Sequence, residues 1–203
     1  MGISAKQFAD LEKRLNKPAK RSATPAVDTL SPAAPKRHEV LLGVDPSLRG
    51  TGYAVIRMGK PHPIALAHGT IRCPATWEHS RCLLQIMQTL RDVIREHQPQ
   101  VCAVEGLFFA QNLQTALIMG EARGAALVAV AEAGLEVFEY APRRVKQAIV
   151  GYGAAQKLAV AKMVQRMLSL QDLPDPDAAD ALALALTHAQ ETSRYALSAA
   201  KRV

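Results

Sequence analysis

Three short apolar runs stand close together at residues 39–45, 52–57 and about 63–72, separated only by turns containing Gly or Pro. Connections that short join antiparallel neighbours, because a parallel return needs a dozen residues or more. Beyond them the pattern changes. Trp77, Leu83, Leu84, Met87, Leu90 and Ile94 recur at helical spacing over 77–97, and Pro99 closes that segment. VCAVEG (101–106) reads as a buried strand, NLQTALIMGEARGAALVAVAEAG (112–134) as a long helix ended by Gly134, and LEVFEY (135–140) as a fifth strand. Helices follow at about 142–149, 155–169 and 177–193. Three consecutive strands, then alternating helix and strand, predict an α/β layer: a mixed five-stranded sheet with flanking helices.

The segments outside this pattern read differently. SAKQFADLEKRL (4–15) has the spacing of a short amphipathic helix, with Ser4 as its cap, but NKPAKRSATPAVDTLSPAAPKR (16–37) is too rich in Pro, Ala, Ser and Lys to bury a core. Residues 1–38 are therefore expected to be a disordered basic extension, 39–193 the folded domain and 194–203 a C-terminal tail. The net charge of +7 divides unevenly: residues 1–38 hold eight Lys or Arg against three Asp or Glu, leaving about two positive charges for the rest. A basic surplus favours phosphate-rich partners, although a basic tail gives the same total. No run of about 18 uninterrupted apolar residues is present, so no membrane span is expected. The N-terminus has no signal-peptide core. The three cysteines lack metal-like spacing and read as reduced thiols in a cytoplasmic protein; the six scattered histidines form no pair at ligand spacing, so no zinc site is expected.

Acidic residues stand where apolar ones are the rule. Asp45 ends the run VLLGV and precedes Pro46, Gly50 and Gly52; Glu105 ends VCAV in the same manner. A carboxylate at such a position loses hydration and needs a donor, a cation or a metal. Ligand sites of α/β sheets lie beyond the carboxyl ends of parallel strands, so parallel pairing of these two strands would bring the two carboxylates to one edge. Further on, LPDPDAADALALALTH (173–188) offers Asp175 as a helix N-cap and Pro176 at the first helical position. Asp177 and Asp180 are three apart and share a face near the positive end of that helix. Asp177 fits equally well as ordinary decoration of a helix start; Asp180 lies deeper in an apolar helix and is harder to explain that way. Converging carboxylates repel, and without a cation some would protonate. Oxygen-only ligation suits Mg²⁺, with Mn²⁺ as a substitute, and two such ions about 4 Å apart form a phosphoryl-transfer site.

GVDPSLRGTGYAVI, AVEGLFFAQN, GEARGAAL, VFEYAPRRVKQAIVGYGAAQK and DAADALALALTH, in this order and at these distances, resemble a RuvC-type Holliday junction resolvase over about 39–190. The resemblance implies a ribonuclease-H-like fold, a homodimer, and Mg²⁺-dependent paired nicking of four-way junction DNA in recombination and repair, with two ions per active site. It also implies a branch-migration motor complex as partner. The family's four acidic positions fall on Asp45, Glu105, Asp177 and Asp180, which makes them the expected catalytic metal ligands.

Other roles follow from the same resemblance. Lys146 and Lys157, either side of the turn GYG (151–153), are expected to approach DNA phosphate, with Arg143 and Arg144 adding positive charge; a solvated face is the plainer reading. Phe108 is expected to act as an aromatic wedge at the junction centre, and Phe109 to pack. Gln111 and Asn112 are candidates for backbone contact. Ser47 and Arg49 lie in a loop that departs from the Gly-Ser pattern common in the family, and their roles stay open. The helix at 112–133, apolar over a wide arc with Gly120 and Gly124 four apart, is expected to carry the dimer contact. His188 is expected to be structural, and Tyr53 and Tyr140 to belong to the core. Hairpins like DPSLRGTG also open actin-like kinases, but the roughly 165 residues after the extension are too few for their two domains. A ribonuclease-H-like enzyme acting on RNA and a non-catalytic junction binder remain as alternatives, although no acidic position is missing.

Overall fold

The computed structural model describes residues 38–106, 112–193 and 201–202. Its sheet begins as expected. β1 (Val40–Asp45), β2 (Gly50–Arg57) and β3 (Ile64–Arg72) run antiparallel in succession, with a bulge at Val55/Ile56. Helix α1 (His79–His97) then carries the chain to β4 (Val101–Glu105), which lies parallel to β1 with Val44 opposite Val104. Helix α2 (Leu113–Glu132) leads to β5 (Glu136–Tyr140), parallel to β4. The helices α3 (Pro142–Val150), α4 (Lys157–Leu168) and α5 (Pro176–Ser193) follow.

One strand was not expected. Lys201–Arg202, inside the segment read as a tail, forms a two-residue strand β6 antiparallel to β5, which adds an edge strand to the expected five and gives the order β3-β2-β1-β4-β5-β6. Two residues carry no periodicity to read; what recruits them is the unpaired backbone along the edge of β5. The reading of residues 1–37 as a disordered extension lies outside the described residues.

Alternation along the strands assigns each helix to a face. Leu41, Ala54, Val101 and Ala103 pack with α3, α4 and α5, whereas Leu42, Val44, Val55, Cys102 and Val104 pack with α1 and α2. The three cysteines are buried and free. Helix α5 is buried nearly all round, with every residue from Ala181 to Ala189 enclosed. It can lie that deep because β1 yields to it: a Cβ on Gly43 would stand 2.0 Å from the Ala181 carbonyl oxygen. Truncating a residue such as Leu182 in that layer would cost about 2–5 kcal/mol.

Helix α2 has the length and composition of a membrane-crossing segment, although Glu121 and Arg123 interrupt its apolar run. Those features are composition only. Ala122, Ala126, Ala129 and Val130 pack it on the sheet and α1, and Arg123 forms a part-buried ion pair with Glu139 of β5. Asn112 caps its start, accepting from the Thr115 amide at 2.8 Å.

Candidate active site

The carboxylates meet at one end of the sheet. Asp45 is the last residue of β1 and stands opposite Gly52 of β2. Glu105 is the last residue of β4 and stands opposite Tyr140 of β5. Since Val44 pairs with Val104, Asp45 and Glu105 are side by side, and both point to the α5 face with Leu41, Gly43, Val101 and Ala103. From above, α5 brings Asp180. Together with Pro142, Val145, Lys146, Lys157, Val160 and Leu184 these three acids line a cleft of about 160 Å³. A larger cavity, about 380 Å³, opens between the C-terminal ends of α1 and α2. That is the other end of the sheet, and its arginines are already paired, Arg91 with Glu132 and Arg95 with Asp92.

Burial and crowding raise the proton affinity of Asp45 and Glu105. Asp45 is pushed up to about 8, first by loss of hydration and then by the charges of Glu105 and Asp180. Glu105 is raised as well, chiefly by burial, while a hydrogen bond from Asp45 and the charges of Lys157 and Lys146 oppose the rise. The two carboxyl groups thus share a proton, as like charges at close quarters do. Asp180 is held by Lys157, whose Nζ donates to Oδ2 at 2.8 Å. That bond is the largest cause of a raised Lys157 pKa.

Among the described residues, no three His, Cys, Asp or Glu side chains are spaced to grip one ion as they stand. Two of these acids bond each other and the third bonds a lysine. Their chemistry nevertheless fits a hard divalent cation: anionic oxygen donors, half-buried, mutually repelling, and relieved by positive charge.

Asp177 lies one turn before Asp180, outside the lining of the cleft, with its carboxylate over the start of β2. Pro176 opens α5 as expected, and the Asp175 carbonyl accepts from Ala179, while the Asp175 carboxylate pairs with Arg72 at 2.9 Å. Of the cationic candidates, Lys146 and Lys157 are brought to the cleft. Arg143 instead lies over Gly153, where a Cβ would meet its Cγ at 2.4 Å. Arg144 is engaged by Glu191 and stands 6.0 Å from the Tyr140 ring. Phe108, Phe109 and Gln111 lie outside the described residues. His188 is not at the cleft. It is fully buried, bonded through Nδ1 to the Tyr140 hydroxyl (2.8 Å) and through Nε2 to His38 (3.2 Å), and burial lowers its pKa to about 4. Arg49 ties the β1–β2 loop down through Pro74, Trp77 and Cys82. Nothing in the sequence signalled either of these last two arrangements, since each joins residues far apart in the chain.

Known proteins resemble this chain in sequence and fold. A crossover junction endodeoxyribonuclease RuvC from Akkermansia muciniphila is 47% identical over 148 residues, 73% of this chain and 89% of that protein. The corresponding protein of Pasteurella multocida is 47% identical over 150 residues, 74% and 78% of the two chains. Among solved structures, T. thermophilus RuvC in complex with a Holliday junction substrate matches with a TM-score of 0.72 and 34% identity, covering 82% of this chain and 100% of that one. The yeast mitochondrial Holliday junction resolvase shares the fold, with a TM-score of 0.52 at 11% identity over 78% and 81% of the chains. Residues 41–188 match the family of crossover junction endodeoxyribonuclease RuvC, and the chain belongs to that family.

Proposed function

We propose that this protein resolves Holliday junctions by Mg²⁺-dependent paired nicks, with Asp45, Glu105, Asp177 and Asp180 holding two ions in each active site. One observation carries the reading: Asp45, Glu105 and Asp180, from three separate elements, converge with Lys146 and Lys157 in one cleft. Bound divalent ions would supply an activated water and stabilise the leaving oxygen. The chain's own residues do the rest. The strand ends fix Asp45 and Glu105 rigidly, α5 lowers Asp180 onto them, and Lys157 neutralises Asp180 until a competing cation arrives. Lys146, whose charge reaches Glu105, and Lys157 are placed to accompany a phosphate into the cleft. Phe108 is proposed as the wedge that unstacks the junction centre, with Arg143 adding charge at the rim.

Junction symmetry calls for two active sites, and the dimer we propose places α2 at its interface. Leu113, Leu117 and Val128 are exposed, and nothing lies within 4 Å of a Cβ built at Gly120 or Gly124. These five positions form one stripe of the helix, apolar and free of side-chain bulk at its middle. A branch-migration motor is proposed as the further partner.

The test is incubation with a synthetic four-way junction, a linear duplex and a structured RNA, each with Mg²⁺ or EDTA. Cutting confined to the junction with Mg²⁺ is expected. Cutting of RNA in preference, or binding of the junction with no cutting at any metal concentration, would overturn the reading.

A further inference from the structure

The start of β2 carries no side chain on the face that meets α5. A Cβ on Gly52 would lie 1.9 Å from the Asp177 carbonyl oxygen and 2.5 Å from its carbon, so the first turn of α5 rests on β2 backbone against backbone. At Gly50 the same construction meets the Asp177 side chain, 2.8 Å from Oδ2. That point is also 3.7 Å from Cγ2 of Thr70, which is the register partner of Gly52 on β3. Thr70 Oγ1 is buried and has no hydrogen-bond partner among the described residues. A buried hydroxyl without a partner is uncommon enough to need an explanation. Rotation about χ1 carries Oγ1 into the position of Cγ2, which borders the same space beside Gly50 as the Asp177 carboxylate.

We propose that Gly50, Gly52 and Thr70 form a seat that fixes the Asp177 carboxylate and so decides whether it completes the Asp45, Glu105 and Asp180 ligand set. Gly52 sets the height of the helix start above the sheet. Gly50 leaves the space in which the carboxylate stands. Thr70 donates its hydroxyl to one carboxylate oxygen, orienting the other toward the cleft. All three are positioning residues; none touches substrate. The inference rests on the carboxylate reading given above.

Calorimetric titration of the full-length protein with Mn²⁺, in the absence of DNA, tests it. Gly50→Ala adds a methyl that meets only the end of a flexible side chain, and Thr70→Val keeps the shape of the residue, so both variants should fold; melting curves check this. Each is expected to weaken ion binding about tenfold, as loss of a ligand's supporting hydrogen bond does elsewhere. Thr70→Ser should restore it to within about twofold. In an Asp177→Asn background, Thr70→Val should have no further effect, and junction binding in EDTA should be unchanged throughout. Wild-type ion affinity in Thr70→Val, or an equal loss with and without Asp177, overturns the seat. Asp45→Asn separates the two levels: if it too binds Mn²⁺ normally, the carboxylate site itself is wrong, whereas loss there with none in Thr70→Val condemns the seat alone.

Discussion

Lys157 Nζ lies 2.8 Å from Asp180 Oδ2, so the lysine occupies the acid that a catalytic ion would claim. The lysine is 69% exposed and the pair stands at the mouth of the cleft, which makes it worth at most about 1 kcal/mol of stability. Its importance is in the site. Lys157→Met should leave the melting temperature within a few degrees of wild type and tighten Mg²⁺ binding in the absence of DNA, because a competing cation is gone. Junction cleavage should nevertheless fall at least tenfold, by loss of a charge-assisted phosphate contact of about 1.5–3 kcal/mol. Lys157→Arg should recover part of that loss. A variant that cuts normally would reduce Lys157 to a solvated partner of Asp180.

Removing charge from the acids separates chemistry from DNA binding. Asp45→Asn, Glu105→Gln and Asp180→Asn should each abolish nicking while junction binding in EDTA survives, since each removes ligand charge and little surface. Asp177→Asn should be the mildest of the four, because its carboxylate lies outside the cleft lining. Gel-shift and cleavage assays on the same junction measure both quantities, and wild-type nicking by any of the first three would disprove the assignment.

The sheet was legible because its signals are local. Short turns after Asp45 and Arg57 implied antiparallel pairing, and the carboxylates ending VLLGV and VCAV were expected to meet if those strands were parallel neighbours, as they are. The start of α5 was legible from Asp-Pro. What escaped notice depends on distance along the chain. Lys157 and Asp180 are 23 residues apart, and His38 and His188 are 150 apart. No pattern within a helix or strand says that such residues will touch. Arg144, expected beside the lysines from its position in the chain, is instead engaged by Glu191, because adjacent helix residues point about 100° apart. The depth of α5 was legible from its nearly all-apolar sequence, but not the close backbone approach that Gly43 and Gly52 allow it.

The proposed dimer has a direct test. Leu117 and Val128, both 59% exposed, flank the open Gly120 and Gly124 on one stripe of α2. A charge in that stripe has no place in a dry interface, whereas it costs little on a free surface. Leu117→Glu and Val128→Glu should therefore yield folded monomers by light scattering, with paired nicking lost. Wild-type molecular mass in both variants would move the interface elsewhere.

The coupled carboxyls of Asp45 and Glu105 make the stability of the metal-free protein depend on pH. Asp45 is raised from an ordinary 3.8 to about 8 in the folded protein. A raised acid favours folding while it stays protonated, so its contribution is full below about pH 4 and is lost as pH rises toward 8. His188 works in the opposite sense: lowered from 6.5 to about 4, it contributes fully above 6.5 and loses its contribution as pH falls toward 4. The two overlap between pH 4 and 6.5, but above 6.5 His188 is neutral in both states and only the coupled Asp45 and Glu105 carboxyls remain. Between pH 6.5 and 8 the metal-free protein should therefore lose stability by up to about 1.4 kcal/mol per pH unit. Asp45→Asn should flatten that slope. Saturating Mg²⁺ should reverse it, because ions bind the deprotonated acids and binding releases the shared proton. Denaturant titrations in EDTA and in Mg²⁺ at three pH values across this window decide the matter. A stability that holds constant or rises with pH in EDTA would mean that Asp45 and Glu105 are both ionised before any ion arrives, and that Lys157 and Lys146 alone suffice to hold them together.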